Sequence, residues 1–505
     1  MTDAKLGPQA GYIDVSKLLI VSHETNDSID ILGNFIKINI DENIFTPYLS
    51  GHIDIVDSYG LIYPTASENT ENKFFQIRGE EYLHIEYNDF NTFDDDGAIK
   101  KETYFIYAIE EIDKLSGNKE TALQYRLYFT SAQKIFSDTK RISKAYRNMT
   151  ISEMVNAIYE EYYLNLTNDL TPKQDKLGNI LSIHNKEIEI EPTNAKFTIV
   201  IPSMTPEEAI SFLGRRAYSE KNSSSFFVFF EGRDKFYFCT TEYLIEKNRL
   251  NLIEEANRFV YADGPNDNSP AGQKRAMQII QDGTYPKFNS VEAIKSQAYS
   301  ARISEIDLSH RDIAHYYYHY KDNYLGYNNV DERPTLPNSS KFISETTGDV
   351  NHIDEGYVFK DYKNIGEAYT RPANQDREYP YYKETLSTKP VFNYHFGRNA
   401  MSGMIKGRDA LKVGDLINVE IPQYTVLSMS EHVGEDKYFG GSQMMIGIGH
   451  VIAGNEWAQT ISFTKALRGG GSETNKPGTS QPPSEDGRTT ADDLTPKPQI
   501  KSETS

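Results

Sequence analysis

Residues 49–57 read Leu-Ser-Gly-His-Ile-Asp-Ile-Val-Asp, and residues 74–87 read Phe-Phe-Gln-Ile-Arg-Gly-Glu-Glu-Tyr-Leu-His-Ile-Glu-Tyr. In the first run Gly51, Ile53 and Ile55 fall on one face, and His52, Asp54 and Val56 on the other. In the second, Leu83, Ile85 and Tyr87 repeat the alternation. A period of two sustained over this length specifies half-buried strands and excludes an amphipathic helix. Ser58-Tyr59-Gly60 breaks the first run as a turn would. On periodicity alone these are neighbouring strands of an antiparallel barrel or sandwich, with no function attached.

The same pattern fills the chain from Val15 to about Ala132. Phe35 to Ile40 alternates. Residues 101–113 are apolar on both faces around Phe105, Tyr107 and Ile109, and residues 121–132 alternate through Leu123, Tyr125, Leu127 and Phe129. Asp94-Asp95-Asp96-Gly97 reads as a hairpin turn. About six strands without an intervening helix suggest one small closed barrel. The composition agrees, since 35 Tyr and 25 Phe against one Trp favour strands. Tyr-rich surfaces also bind carbohydrate, which keeps a lectin-like alternative open.

The pattern changes near Lys140. Thr150 and Glu153 have capping-box spacing ahead of Ile151, Met154, Val155 and Ile158. A second helix start places Thr205 at the N-cap, Pro206 at N1 and Glu208 at N3, followed by Ile210, Leu213 and Ala217. Strands over 225–230 and 236–239 flank a turn at Gly232-Arg233-Asp234. Residues 255–290 read as a polar connector, with a helix beginning after Ser290. Ala298 to Asp307 and Ile313 to Tyr320 read as strands. Residues 322–392 lack periodicity and read as an irregular insertion. Strands return at 416–421, 442–452 and 460–467. From Arg468 the chain is Gly-, Ser-, Thr- and Pro-rich, and too poor in large apolar residues to offset its ordering entropy, so a mobile tail is expected.

Chemistry-bearing motifs are sparse. Cys239, the single cysteine, lies in the apolar run Phe236-Tyr237-Phe238-Cys239 and reads as a buried small hydrophobe. His310, His315 and His319 resemble a metal set, but in a strand positions 315 and 319 lie about 13 Å apart, too far for one ion. Gly447-Ile448-Gly449 lacks the third glycine and the helix of a dinucleotide loop. The triplet at 94–96 lacks the alternating ligands of a calcium loop. Acidic pairs such as Glu80-Glu81 and Glu110-Glu111 read as solvated surface in a chain with 73 acids. No Walker A, HExxH or GxSxG sequence is present. No catalytic, cofactor-binding or metal-binding residue is therefore assigned, and the chain is expected not to be an enzyme. A formal charge of −20 without a basic cluster argues against tight nucleic-acid binding. The N-terminus lacks a signal-peptide pattern. No apolar run reaches the roughly 18 residues of a membrane helix, so folding in a reducing cytoplasm and no membrane insertion are expected.

Several blocks together resemble the baseplate central hub proteins of contractile-tailed, T-even-like phages, within the tail-tube and hub superfamily. They are Ser50-Gly51 with Ile53, Ile55 and Asp57; Gly79-Glu80-Glu81 with Leu83, Ile85 and Tyr87; and Arg141-Ile142-Ser143-Lys144-Ala145-Tyr146. Further blocks are Ile201-Pro202, Pro206 to Ile210, Arg216-Ala217-Tyr218-Ser219 and the 226–239 hairpin. The last are Val413-Gly414-Asp415 leading to Ile421-Pro422, then Gly449-His450 and Thr464-Lys465. The resemblance covers roughly residues 30–250 and 400–467.

It implies a β-rich α+β fold with two tube-type antiparallel β-barrels. The first barrel spans 1–135, an α+β insertion domain 136–255, and a connector with the first strands of the second barrel 256–321. An irregular insertion occupies 322–392, the rest of the second barrel 393–467, and a disordered C-terminal tail 468–505. It further implies a structural virion protein assembled in the host cytoplasm. A homotrimeric ring would join the tail tube to a trimeric spike, touch surrounding baseplate proteins and the tape measure, and pass DNA as cargo. The alternatives are a carbohydrate-binding or cell-wall-degrading protein of a virion or secretion, and an adaptor of undefined partner.

Overall fold

The structure is a computed structural model that describes residues 11–23, 27–57, 77–89, 99–116, 121–164, 173–174, 180–181, 186–221, 226–249, 257–261, 279–284, 300–307, 312–319, 357–358, 400–421 and 440–465. The turns expected at 58–60 and 94–97, the helix after Ser290, most of 322–392 and the tail from 468 lie outside these residues. The fold is β-rich, with four α-helices among the described residues.

The first β region comprises β1 (Ile13–Ser22), β2 (Ser28–Asp30), β3 (Phe35–Asn43), β4 (Ser50–Asp57), β5 (Glu81–Asp89), β6 (Lys100–Ser116) and β7 (Thr121–Ser131). Its order is β2-β1-β5-β6-β7-β4-β3, antiparallel throughout. The α+β unit follows, with α1 (Ala132–Thr139), β8 (Ile142–Thr150), α2 (Ile151–Tyr159), β9 (Lys173–Gln174), β10 (Ile180–Leu181) and β11 (Ile188–Ile190). It continues through β12 (Lys196–Met204), α3 (Pro206–Gly214), β13 (Phe227–Glu231), β14 (Phe236–Thr240) and α4 (Thr241–Asn248). The remaining strands are β15 (Arg258–Tyr261), β16 (Ile279–Thr284), β17 (Ser300–Asp307), β18 (Asp312–His319), β19 (Tyr357–Val358), β20 (Met401–Lys406), β21 (Leu416–Glu420), β22 (Gly441–Ala453) and β23 (Glu456–Lys465).

β22 and β23 form one long hairpin that joins both β regions. β22 pairs with β21 through Gly441–Met444 and with β3 through Gly447–Ile452. From β22 the ladders run β21, β15, β16, β20, β23 and back to β22. On the other side they run β3, β4, β7, β6, β5 and β1. β1 returns to the hairpin through the bridge Tyr12–Glu456, with Trp457 N donating to Gly11 O at 2.7 Å and Ile13 N to Asn455 O at 3.1 Å. Two circuits of strand pairing therefore share one hairpin. The second is mixed rather than antiparallel, because β15 lies parallel to both β16 and β21. β17 and β18, expected beside β20–β23, form a separate sheet with β19. The connector instead supplies β15 and β16.

Each β region packs against its own apolar core, the second shared with the α+β unit. Ile38, Ile53, Ile55, Leu83, Ile85, Leu127 and Phe129 pack in the first with Ile452 and Trp457 of the hairpin. Phe259, Leu416, Ile417, Val419, Met444, Ile448, Ile461 and Phe463 pack in the second. Full burial of one such side chain stabilises by roughly 2 kcal/mol. A third core lies between α2, α3 and the strands beside them.

The facing of β4 is as the alternation dictates, with Gly51, Ile53 and Ile55 inward. β5 departs from a half-buried strand. Its second face is covered too, because Tyr82 packs with Leu19, Val21 and Phe105. There His84 meets Thr103 at 2.9 Å and Glu86 at 3.1 Å. β6, read as apolar on both faces, buries Tyr104 and Ile106 and leaves Tyr107 half exposed. Bulges at Ile106/Ala108 and Glu110/Asp113 shift its register and break the simple alternation. Ala132–Thr139 is a helix that strand periodicity did not reveal.

Candidate functional site

A polar layer separates the two β cores. It arises because several strands carry one polar residue on an otherwise apolar face. Glu42 follows Ile38 and Ile40 on β3, His450 lies between Ile448 and Ile452 on β22, and Gln459 lies between Trp457 and Ile461 on β23. All three are buried. Buried polar groups are costly unless hydrogen-bonded, and here the bonds are made.

Gln459 is oriented by the backbone of Arg408, whose N–H donates to Oε1 at 3.2 Å and whose carbonyl accepts from Nε2 at 2.8 Å. The same Nε2 donates to His450 Nδ1 at 3.2 Å. His450 must then carry its proton on Nε2, which donates to Glu42 Oε1 at 2.8 Å.

Arg233 enters from the α+β unit, at the turn between β13 and β14. Its Nη2 donates to Glu102 Oε1 at 2.5 Å, its Nε to the same oxygen at 3.1 Å and its Nη1 to Asp409 Oδ1 at 2.6 Å. Glu42 Oε1 lies 3.9 Å from Nε. Glu102 also accepts from the hydroxyls of Tyr87 at 3.0 Å and Tyr104 at 2.6 Å. Burial pushes the Glu102 carboxyl above the ordinary carboxylate range, and the Tyr104 hydroxyl pulls it back. Lys100 pairs with Asp409. Beside them Lys186 donates to Glu231 Oε1 at 2.6 Å, while Glu231 Oε2 accepts from Leu49 N at 3.1 Å.

Lys100, Glu102, Tyr104, Lys186, Glu231, Arg233 and Asp409 line a cavity of about 440 Å³ where the first β region, the α+β unit and the second β region meet. Each carboxylate is tied to a cation, a hydroxyl or a backbone N–H. The arrangement fastens three units together and offers no activated nucleophile.

The residues singled out in the sequence stay apart from this layer. Cys239 is buried, and burial pushes its thiol well above the ordinary value, so it is inert as a nucleophile. His315 and His319 lie on β18 as a strand, and His310 is outside the described residues. Among the described residues no group of His, Cys, Asp or Glu is placed to hold a metal ion. No helix among them is long and apolar enough to cross a membrane. Glu81 corrects the solvated-surface reading of the acidic pairs. It is buried, and its carboxylate accepts from the backbone N–H groups of Arg78, Gly79 and Glu80 at 2.7, 2.8 and 3.0 Å.

No family model matches the chain, and no curated protein matches it in sequence. Among solved structures, the backbone is similar to a prophage tail protein from Shewanella oneidensis, at a TM-score of 0.44 and 8% identity over 89% of this chain and 98% of that one. It is similar to a tail protein from Neisseria meningitidis at a TM-score of 0.43 and 8% identity, over 89% and 96% of the two chains. It is also similar to a type VI secretion system component from E. coli at a TM-score of 0.35 and 8% identity, over 86% and 73%.

Proposed function

We propose that this chain is a structural subunit of a phage tail or a related injection machine, acting as a baseplate hub. The observation that carries the reading is the β22–β23 hairpin, built into both strand circuits. It holds two barrel-type units side by side in a fixed relation, and the polar layer around Arg233 locks the α+β unit against their junction. The blocks Ser50–Asp57, Gly79–Tyr87 and Val413–Pro422 with Gly449-His450 and Thr464-Lys465, on which the hub resemblance rests, fall largely within these circuits.

In this reading three copies form a ring that presents six barrel-type units around a hollow axis. One side receives a threefold spike and the other a sixfold tube, with further baseplate proteins and a tape measure as neighbours. The net charge of −20 limits adhesion of DNA passing through. The chain works mechanically and carries no catalytic residue. The virion is its destination, after assembly in the host cytoplasm. Light scattering on the purified protein, alone or with its spike partner, is expected to give three times the 57.6 kDa chain mass. A strictly monomeric species under both conditions overturns the reading.

A second reading draws on a different observation. Tyr107 is half exposed, its ring lies 6.3 Å from Tyr128, and Tyr128 lies 5.8 Å from His52, making an aromatic row on a sheet face. Such a row suits a sugar ring. Retention on peptidoglycan or surface polysaccharide that is lost in Tyr107→Ala would favour it.

A further inference from the structure

β8 and β12 form a two-stranded ribbon on the α+β unit, and among the described residues neither has a second strand neighbour. Its inner face buries Ile142, Tyr146, Ile199 and Ile201 in the third core. Its outer face leaves the opposed pair Ala145 and Val200 exposed, Val200 at 64%.

The ribbon is a local basic cluster in an acidic chain, which corrects the expectation that no such cluster is present. Residues 140–150 and 196–204 contain Lys140, Arg141, Lys144, Arg147 and Lys196 and no Asp or Glu, in a protein with 53 Lys+Arg against 73 Asp+Glu. Two of these cations reach acids on the helices behind, Arg141 to Glu208 at 3.2 Å and Lys144 to Glu161 at 2.7 Å. Both pairs are well exposed, so they compete weakly with a new partner.

The two strands differ as edges. β12 carries Pro202, which has no N–H, and Ser203 at φ 45°, both of which interrupt an edge. β8 has no proline between Ile142 and Arg147, and the next residue, Asn148 at φ 53°, ends the regular stretch. Among the described residues no backbone hydrogen bond outside the ribbon reaches 142–148. Unpaired, positively flanked and regular for six residues, this edge can accept another strand.

We propose that the β8 edge docks an extended acidic segment of a protein partner, added as a strand, whose carboxylates meet Lys140, Arg141, Lys144 and Arg147. The exposed Ala145–Val200 pair supplies an apolar floor for alternate side chains of that segment. A nucleic acid fits less well, because the outer face presents no aromatic ring and the whole chain repels phosphate at long range.

The test uses the full chain and fluorescence anisotropy with four labelled probes. They are an alternating Val-Glu octapeptide, its Val-Lys counterpart, the Val-Glu peptide N-methylated at alternate residues, and a DNA oligonucleotide. The acidic peptide is expected to bind at about 50 mM salt and to weaken at about 300 mM, while the other three bind poorly. Lys140→Glu with Arg147→Glu is expected to weaken binding about tenfold without moving the melting temperature. Failure of the acidic peptide to bind, equal binding of the lysine or N-methylated peptide, tighter binding of DNA, or indifference to the double substitution each overturns the proposal.

Discussion

Glu42 and His450, 408 positions apart in the chain, meet at 2.8 Å in the layer between the two β cores. The contact joins β3 to the hairpin that both strand circuits share, at the level where Arg233 enters from the α+β unit. The architecture therefore turns on a small set of polar side chains that cannot be exchanged independently.

Arg233→Met removes the guanidinium from Glu102 and Asp409 and leaves these largely covered carboxylates short of a cation. The expected cost is roughly 3–5 kcal/mol at neutral pH, measured by denaturant unfolding. Without the cation the folded carboxyls bind protons more tightly, so the deficit is expected to shrink as pH falls. Arg233→Met with Glu102→Gln is expected to be less destabilised than Arg233→Met alone.

Asp415 carries a carboxyl raised to about 6, chiefly by burial. A folded acid that holds its proton more tightly than the unfolded chain stabilises below pH 3.8, and that stability is lost as pH rises through about 6. Asp415→Asn has no such slope and keeps an oxygen to accept from Lys412 N. It is expected to gain on the wild type by about 2 kcal/mol between pH 4 and pH 8. Parallel melting curves across that range would contradict the assignment.

Gly51 and Gly407 mark close approaches. A Cβ on Gly51 would lie 2.1 Å from Asn39 O and 2.6 Å from the Phe129 ring, and one on Gly407 would lie 2.2 Å from the Trp457 ring. Gly51→Ala and Gly407→Ala are each expected to cost about 2 kcal/mol or more. Gly33→Ala, with nothing within 4 Å, serves as the control and is expected to be neutral. Melting temperatures of the three variants check this.

Thr150 and Thr205 each close a full capping box with Glu153 and Glu208. Thr150→Ala and Thr205→Ala are each expected to cost about 1 kcal/mol in chemical denaturation. Loss of helix content without loss of stability would contradict a capping role.

Those two boxes were legible in the sequence because a capping box is local, four residues long and chemically explicit. The facing of β4 was legible because its two sides differ, with Gly51, Ile53 and Ile55 buried and His52, Asp54 and Val56 only half-buried. β5 and β6 were less so. Burial of the second face of β5 depends on Leu19 and Phe105 arriving from other strands, and the bulges of β6 move its residues off a strict period of two. β15 and β16 were missed inside a polar connector, since four to six residues carry too little periodicity. The β22–β23 alternation gave two strands but not the two cores they serve. A charged residue in a Gly-Arg-Asp turn reads as solvent-facing, and only the convergence of three units on Arg233 makes it largely covered. The usable signal was a polar residue on an apolar face: Glu42, His450 and Gln459 all interrupt such rows.

The most direct test of the central claim is electron microscopy of the purified chain, with its spike partner where association requires it. The account expects ring-shaped particles with threefold symmetry and a central opening, each copy contributing two adjacent β units joined by the 441–465 hairpin. Particles without a ring, or a reconstruction in which β22–β23 serves only one of the two cores, would contradict it.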